Sequence, residues 1–105
     1  MSTAARSGRK PSTSRAPGAP ARPEHSVTHA ALVEYLASGA VTELVAVEFD
    51  RGTYRLEASL SWRPGRSALV AARGSDRVFR SLDTLATFLR TVGIGATVVR
   101  LELKP

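Results

Sequence analysis

The stretch from Thr53 to Trp62 alternates without a break, with Tyr54, Leu56, Ala58, Leu60 and Trp62 in one set of positions and Arg55, Glu57, Ser59 and Ser61 in the other. Successive side chains of a strand point to opposite faces, so this segment reads as a strand with one apolar and one wet face. Such a strand needs lateral partners and an apolar layer on one side only, which points to an antiparallel sheet with helices on a single face. Thr42 to Asp50 alternates as well, and its pattern assigns Val45, Val47 and Phe49 inward. Asp50-Arg51-Gly52 lies between the two runs and offers a glycine for a turn, so the pair reads as a β-hairpin.

Arg63-Pro64-Gly65-Arg66 carries turn residues, after which Ser67 to Arg73 reads as a third strand through Leu69, Val70 and Ala71. Gly74-Ser75-Asp76 turns the chain again, and Arg77 to Arg80 is either a short strand or a lead into the next helix. Two helices are expected. The first runs over Thr28 to Ser38, with Leu32, Tyr35 and Leu36 on one stripe and Gly39 placed to stop it. The second begins after the N-cap Ser81, has Asp83 in its first turn and repeats Leu82, Leu85, Leu89 and Val92 at helical spacing up to Gly93. Thr97 to Leu103 alternates as a final strand through Val99, Leu101 and Leu103. The expected fold is therefore α+β, an antiparallel sheet of four to five strands with two helices packed on one face, in the order α-β-β-β-(β)-α-β. The opposite face of the sheet is expected to be polar.

Residues 1 to 26 contain no large aliphatic side chain after Met1, and Val27 is the first. A segment rich in Ser, Thr, Ala, Pro and basic residues cannot offset the entropy cost of ordering, so it is expected to be a disordered basic tail before a single domain over residues 27 to 105. Of the net charge of +6, this tail holds +4, from Arg6, Arg9, Lys10, Arg15 and Arg22 against Glu24. Thirteen of the fifteen basic residues are arginine, which grips phosphate in a bidentate way; the sixteen alanines beside them also fit the codon usage of a GC-rich genome. The chain has no cysteine, which removes disulfides and thiolate metal sites and is compatible with a cytoplasmic location. No apolar run approaches the length of a membrane helix, and Met1 to Arg22 lacks the apolar centre of a secretory signal.

The sequence carries no serine-hydrolase elbow, zinc-protease helix, phosphate-binding glycine loop or paired-cysteine motif, so no catalytic residue is assigned and no cofactor is expected. His25 and His29 stand at the spacing of two ligands on one helical face, but no third ligand is evident and no metal site is assigned. Glu48 and Asp50 share a face of their strand and read, with Arg55 and Glu57, as cross-strand charge pairs. The candidate nucleic-acid contacts are the tail residues Arg6, Arg9, Lys10, Arg15 and Arg22, and a rim of Arg63, Arg66, Arg73, Arg77 and Arg80. If both halves of that rim meet at one end of the sheet, they surround the N-terminus of the second helix, where phosphate is favoured. The aromatic residues read as core, with Trp62 at its strand end expected to be partly exposed.

Three segments carry a family likeness: Thr28-His29-Ala30-Ala31-Leu32-Val33-Glu34-Tyr35-Leu36, Leu69-Val70-Ala71-Ala72-Arg73-Gly74, and Arg77-Val78-Phe79-Arg80-Ser81-Leu82-Asp83-Thr84-Leu85 leading to Gly93-Ile94. Over Ser26 to Leu103 the chain resembles the small ParC-like partition-associated proteins of plasmids and integrative elements, which are unrelated to the topoisomerase subunit of the same name. The resemblance implies a non-catalytic accessory for partition or maintenance of a mobile element, working through contacts with partition proteins or another protein partner. It carries over no catalytic residue. Combined with the basic tail, the expectation is an accessory protein that binds another protein, with the tail touching DNA through phosphates. Two other readings stand beside it, a direct non-specific DNA-binding module and a small enzyme or toxin. A homodimer is compatible with a domain of this size, and no membrane contact is expected.

Overall fold

The computed structural model describes residues 22–94 and 97–105. The elements follow in the order β1 (His25–Thr28), α1 (His29–Ala37), β2 (Val41–Asp50), β3 (Thr53–Leu60), β4 (Arg63–Val70), β5 (Val78–Phe79), α2 (Leu82–Thr91) and β6 (Val99–Glu102). One sheet holds all six strands in the order β1-β4-β3-β2-β6, and β5 pairs with the start of β3. The fold is α+β, as the alternation indicates.

The sheet is mixed rather than antiparallel. The meander β2-β3-β4 is antiparallel, whereas β1 runs parallel to β4 and β6 parallel to β2. The helices explain this. Each starts at the end of the sheet where β2 finishes and runs back across one face, so the chain leaves α2 where β2 begins and re-enters the sheet in the same direction. β1, unannounced in the sequence because only Val27 is apolar, places His25 and Ser26 inside the sheet. The remainder of the expected tail, up to residue 21, lies outside the described residues.

The helix ends follow the sequence closely. The Thr28 hydroxyl accepts from the Ala31 amide at 3.2 Å and the Ser81 hydroxyl from the Thr84 amide at 3.1 Å, each satisfying a donor that a first helical turn leaves open. Between the helices and the sheet lie Val27, Leu32, Leu44, Ala46, Tyr54, Leu56, Ala58, Leu69, Phe79, Leu85, Phe88 and Val92. Phe79 and Phe88 meet at a centroid distance of 5.3 Å in the middle of this layer.

Two sequence expectations are corrected here. On β2 it is Leu44 and Ala46 that face the helices, because they pair in register with Ala58 and Leu56; Val45 and Val47 pair with Glu57 and Arg55 on the opposite face. Binary pattern cannot orient a strand that is buried on both sides. The β3 to β4 connection is Ser61–Trp62, and Pro64 and Gly65 fall within β4. Gly65 takes φ 78° there, next to an irregularity in the pairing between Ser59 and Leu60, which identifies a bulged strand start in place of a turn.

The face away from the helices is charged yet closed. Val45 and Val47 are almost fully buried there, and so are Arg55 and Glu57. Arg55 Nε donates to Glu57 Oε2 at 2.6 Å. Arg66 Nη1 donates to Glu57 Oε1 at 3.3 Å, and the Arg66 guanidinium makes two further hydrogen bonds to Glu102, at 2.9 and 2.8 Å. Because β3 and β2 stand between the strands of Arg66 and Glu102, this ion pair reaches across both.

Candidate interaction surface

Trp62 occupies the two-residue β3 to β4 connection and is 53% exposed, as its place at a strand end suggests. Two side chains hold it. The Arg63 guanidinium lies over the indole at 4.5 Å, and the Tyr35 ring from α1 meets it edge-on at 5.6 Å. Arg63 Nη1 also donates to the Ser67 hydroxyl at 3.1 Å, which fixes the guanidinium in that position. The Ser61 amide donates to the Ala40 carbonyl at 2.8 Å and ties the turn to the start of β2. The outcome is an exposed Trp flanked by a half-buried Tyr and a half-buried Arg on a rigid base. Those are the residue types that anchor protein interfaces, since they offer large contact area at little conformational cost.

The ten candidate nucleic-acid residues do not form one site. Arg6, Arg9, Lys10 and Arg15 lie outside the described residues. Arg22 is held by Asp76, Nε to Oδ1 at 2.7 Å. Arg63 and Arg66 belong to the beginning of β4, whereas Arg73, Arg77 and Arg80 follow its far end, so the rim envisaged from the sequence is split between opposite ends of the sheet. Arg66 is moreover committed to Glu102 and Glu57. Its hydrogen bonds to Glu102 hold the arginine charge more firmly than usual and keep the Glu102 carboxyl below the ordinary carboxylate range.

The other half of the rim falls at one end of the sheet. Arg77 spreads over Phe79 and Phe88 at 5.2 and 5.1 Å, Arg80 precedes the N-cap of α2, and the N-terminus of α1 opens at the same end. Among the described residues, no carboxylate pairs with Arg73, Arg77 or Arg80.

The remaining candidate residues have structural places. His25 is in β1 and His29 opens α1 against Phe88 at 5.3 Å, so the two histidines do not share a helical face. Across the hairpin Glu48 stands in register with Tyr54, and Val47 with Arg55. Glu48 accepts from the backbone amides of Gly52 at 2.7 Å and Lys104 at 3.0 Å, which hold its carboxyl below the ordinary range. Asp50 faces the Lys104 ammonium at 3.9 Å. Among the described residues no three potential ligands gather around a common point, and no helix is long and apolar enough to cross a membrane.

Sequence reasoning missed the Arg66 to Glu102 bridge, and the residues carry no signal that finds it. The partners are 36 positions apart and meet only through the strand order. No known protein family, curated protein or solved structure matches this chain.

Proposed function

We propose that this protein is a non-catalytic accessory of the kind the partition-associated resemblance implies, acting through a protein partner, with its basic N-terminal segment near DNA. The observation that carries the reading is the exposed Trp62 group, braced by Tyr35 and Arg63 on a rigid turn. An indole left half in water and braced by its neighbours is a ready anchor for a second protein. The charged sheet face supports the same reading from the other side. Its Glu57 and Glu102 carboxylates are hydrogen-bonded to Arg55 and Arg66, and Arg66 holds the Glu102 carboxyl below the ordinary range, which suits a rigid scaffold.

The test is capture of partners from a host that carries the mobile element, with and without nuclease treatment. A partner retained after nuclease supports the proposal. Retention only while DNA is intact, or no retention, contradicts it.

A second reading, direct but non-specific contact with DNA, is favoured by the end of the sheet where Arg73, Arg77 and Arg80 stand beside the N-termini of α1 and α2. Unpaired guanidinium groups and helix N-termini both attract phosphate. The two readings are compatible, because Trp62 and this arginine group occupy opposite ends of the sheet.

A further inference from the structure

β6 is an edge strand, with β2 on one side and no strand on the other among the described residues. Natural edges are blunted by charge, proline, bulges or brevity, because their open amides and carbonyls recruit other strands. The opposite edge, β1, follows that rule: it is short and turns His25, Ser26 and Thr28 to solvent. β6 does not. Leu101 is 44% exposed and Leu103 60%, and Leu101 borders an open apolar groove of about 280 Å³ walled by Leu82, Ala86 and Leu89 of α2. Leu82, on the outer side of α2, is itself 44% exposed.

The sequence of this edge is self-complementary. If two β6 strands pair antiparallel about Leu101, then Leu101 meets its own copy, Val99 meets Leu103, and Arg100 meets Glu102 on both sides of the axis. Charge and hydropathy agree at all five positions. A two-fold axis through Leu101 and perpendicular to the sheet also keeps both α2 helices on the same face. They then flank the paired strands and close over the leucines.

We propose that β6 is the homodimer edge of this protein, joining two copies into one continuous sheet with Leu101 on the two-fold axis. The occupant is a second copy because the register pairs each arginine with a glutamate and each apolar residue with another, which an unrelated strand has no reason to match. The inference stands independently of the partner proposed for Trp62.

The chain has no cysteine, so one introduced at the axis reports the geometry directly. Directly opposed residues of an antiparallel pair have Cα atoms about 4.5 to 5.5 Å apart, inside the range a disulfide spans. Full-length Leu101→Cys is expected to give a covalent dimer on mild oxidation. Val98→Cys, at a position 87% exposed but three residues from the axis, places its two thiols about 20 Å apart and should stay monomeric under the same oxidant. Sedimentation equilibrium of the wild type should show a monomer–dimer equilibrium, weakened at least tenfold by Arg100→Glu, which sets two acidic pairs across the axis. Equal cross-linking of the two cysteine variants overturns the proposal, as does a wild type that remains monomeric at hundreds of micromolar. A dimer of unchanged strength in the Arg100→Glu variant overturns it as well.

Discussion

Arg66 and Glu102 are joined by two hydrogen bonds of 2.9 and 2.8 Å across two intervening strands, so a single ion pair spans the sheet from β4 to β6. The pair is about 30% exposed on each side, and Arg66 also reaches the buried Glu57. Arg66→Ala should therefore destabilise the fold by about 2 kcal/mol, the scale of a charge-assisted hydrogen bond whose partner is left partly buried. Urea unfolding of the variant measures this, and a change below about 0.5 kcal/mol would show that the bridge contributes little.

The same pair sets a pH dependence. Arg66 holds the Glu102 carboxyl below its ordinary range in the folded state, so the unfolded chain binds a proton at higher pH than the folded one. The stability this contributes is complete above the ordinary carboxylate value and is lost as the pH falls through the lower, folded one. Glu102→Gln should flatten the decline in stability between about pH 5 and pH 3. A variant whose acid limb matches the wild type would contradict the assignment.

Leu85 is buried against the sheet, whereas Leu89, one turn on, is only partly covered. Leu85→Ala is expected to cost about 2 to 5 kcal/mol, and Leu89→Ala less. Thermal melts of the two variants settle the order, and a larger loss at Leu89 would mean that α2 presents a different face.

The helices were legible because their signals are local. Thr28 and Ser81 cap within three residues of their partners, and the leucine spacing of α2 lies in one short run. The β3 alternation likewise gave the correct inward face. What stayed hidden depends on distant parts of the chain. The inward side of β2 is not legible in the sequence because Val45 and Val47 are buried on the second face as well, so alternation alone cannot orient the strand. The parallel entries of β1 and β6 follow from where the helices deliver the chain. The arginine rim divides because Arg63 and Arg66 open the strand that Arg73 follows, so the length of β4 separates the two groups; Gly65, at φ 78°, makes a bulge inside β4 where the sequence suggests a turn.

That bulge is testable by itself. An added Cβ at Gly65 meets no atom within 4 Å, so the penalty of Gly65→Ala comes from the left-handed backbone alone. It should be about 1 kcal/mol. A neutral or stabilising substitution, measured by chemical unfolding, would show that the backbone there relaxes freely.

Contact with DNA is tested through salt. Deleting residues 1–21 removes Arg6, Arg9, Lys10 and Arg15 while keeping β1 and the Arg22 to Asp76 pair. If that segment supplies the phosphate contacts, the slope of log K against log salt should flatten by up to about four. If Arg77 and Arg80 supply them, the double alanine variant flattens it by about two and the truncation matters less. No binding by the full-length protein even at low salt would eliminate DNA contact from either place.

If Trp62 anchors a protein partner, nuclease-treated capture with Trp62→Ala beside the wild type reads the anchor out. The indole is half exposed, so its removal should leave the melting temperature within a few degrees while lowering partner retention at least tenfold, the effect of losing an interface anchor. Undiminished retention by a folded Trp62→Ala variant would mean that the partner docks elsewhere and that Trp62 is not its anchor.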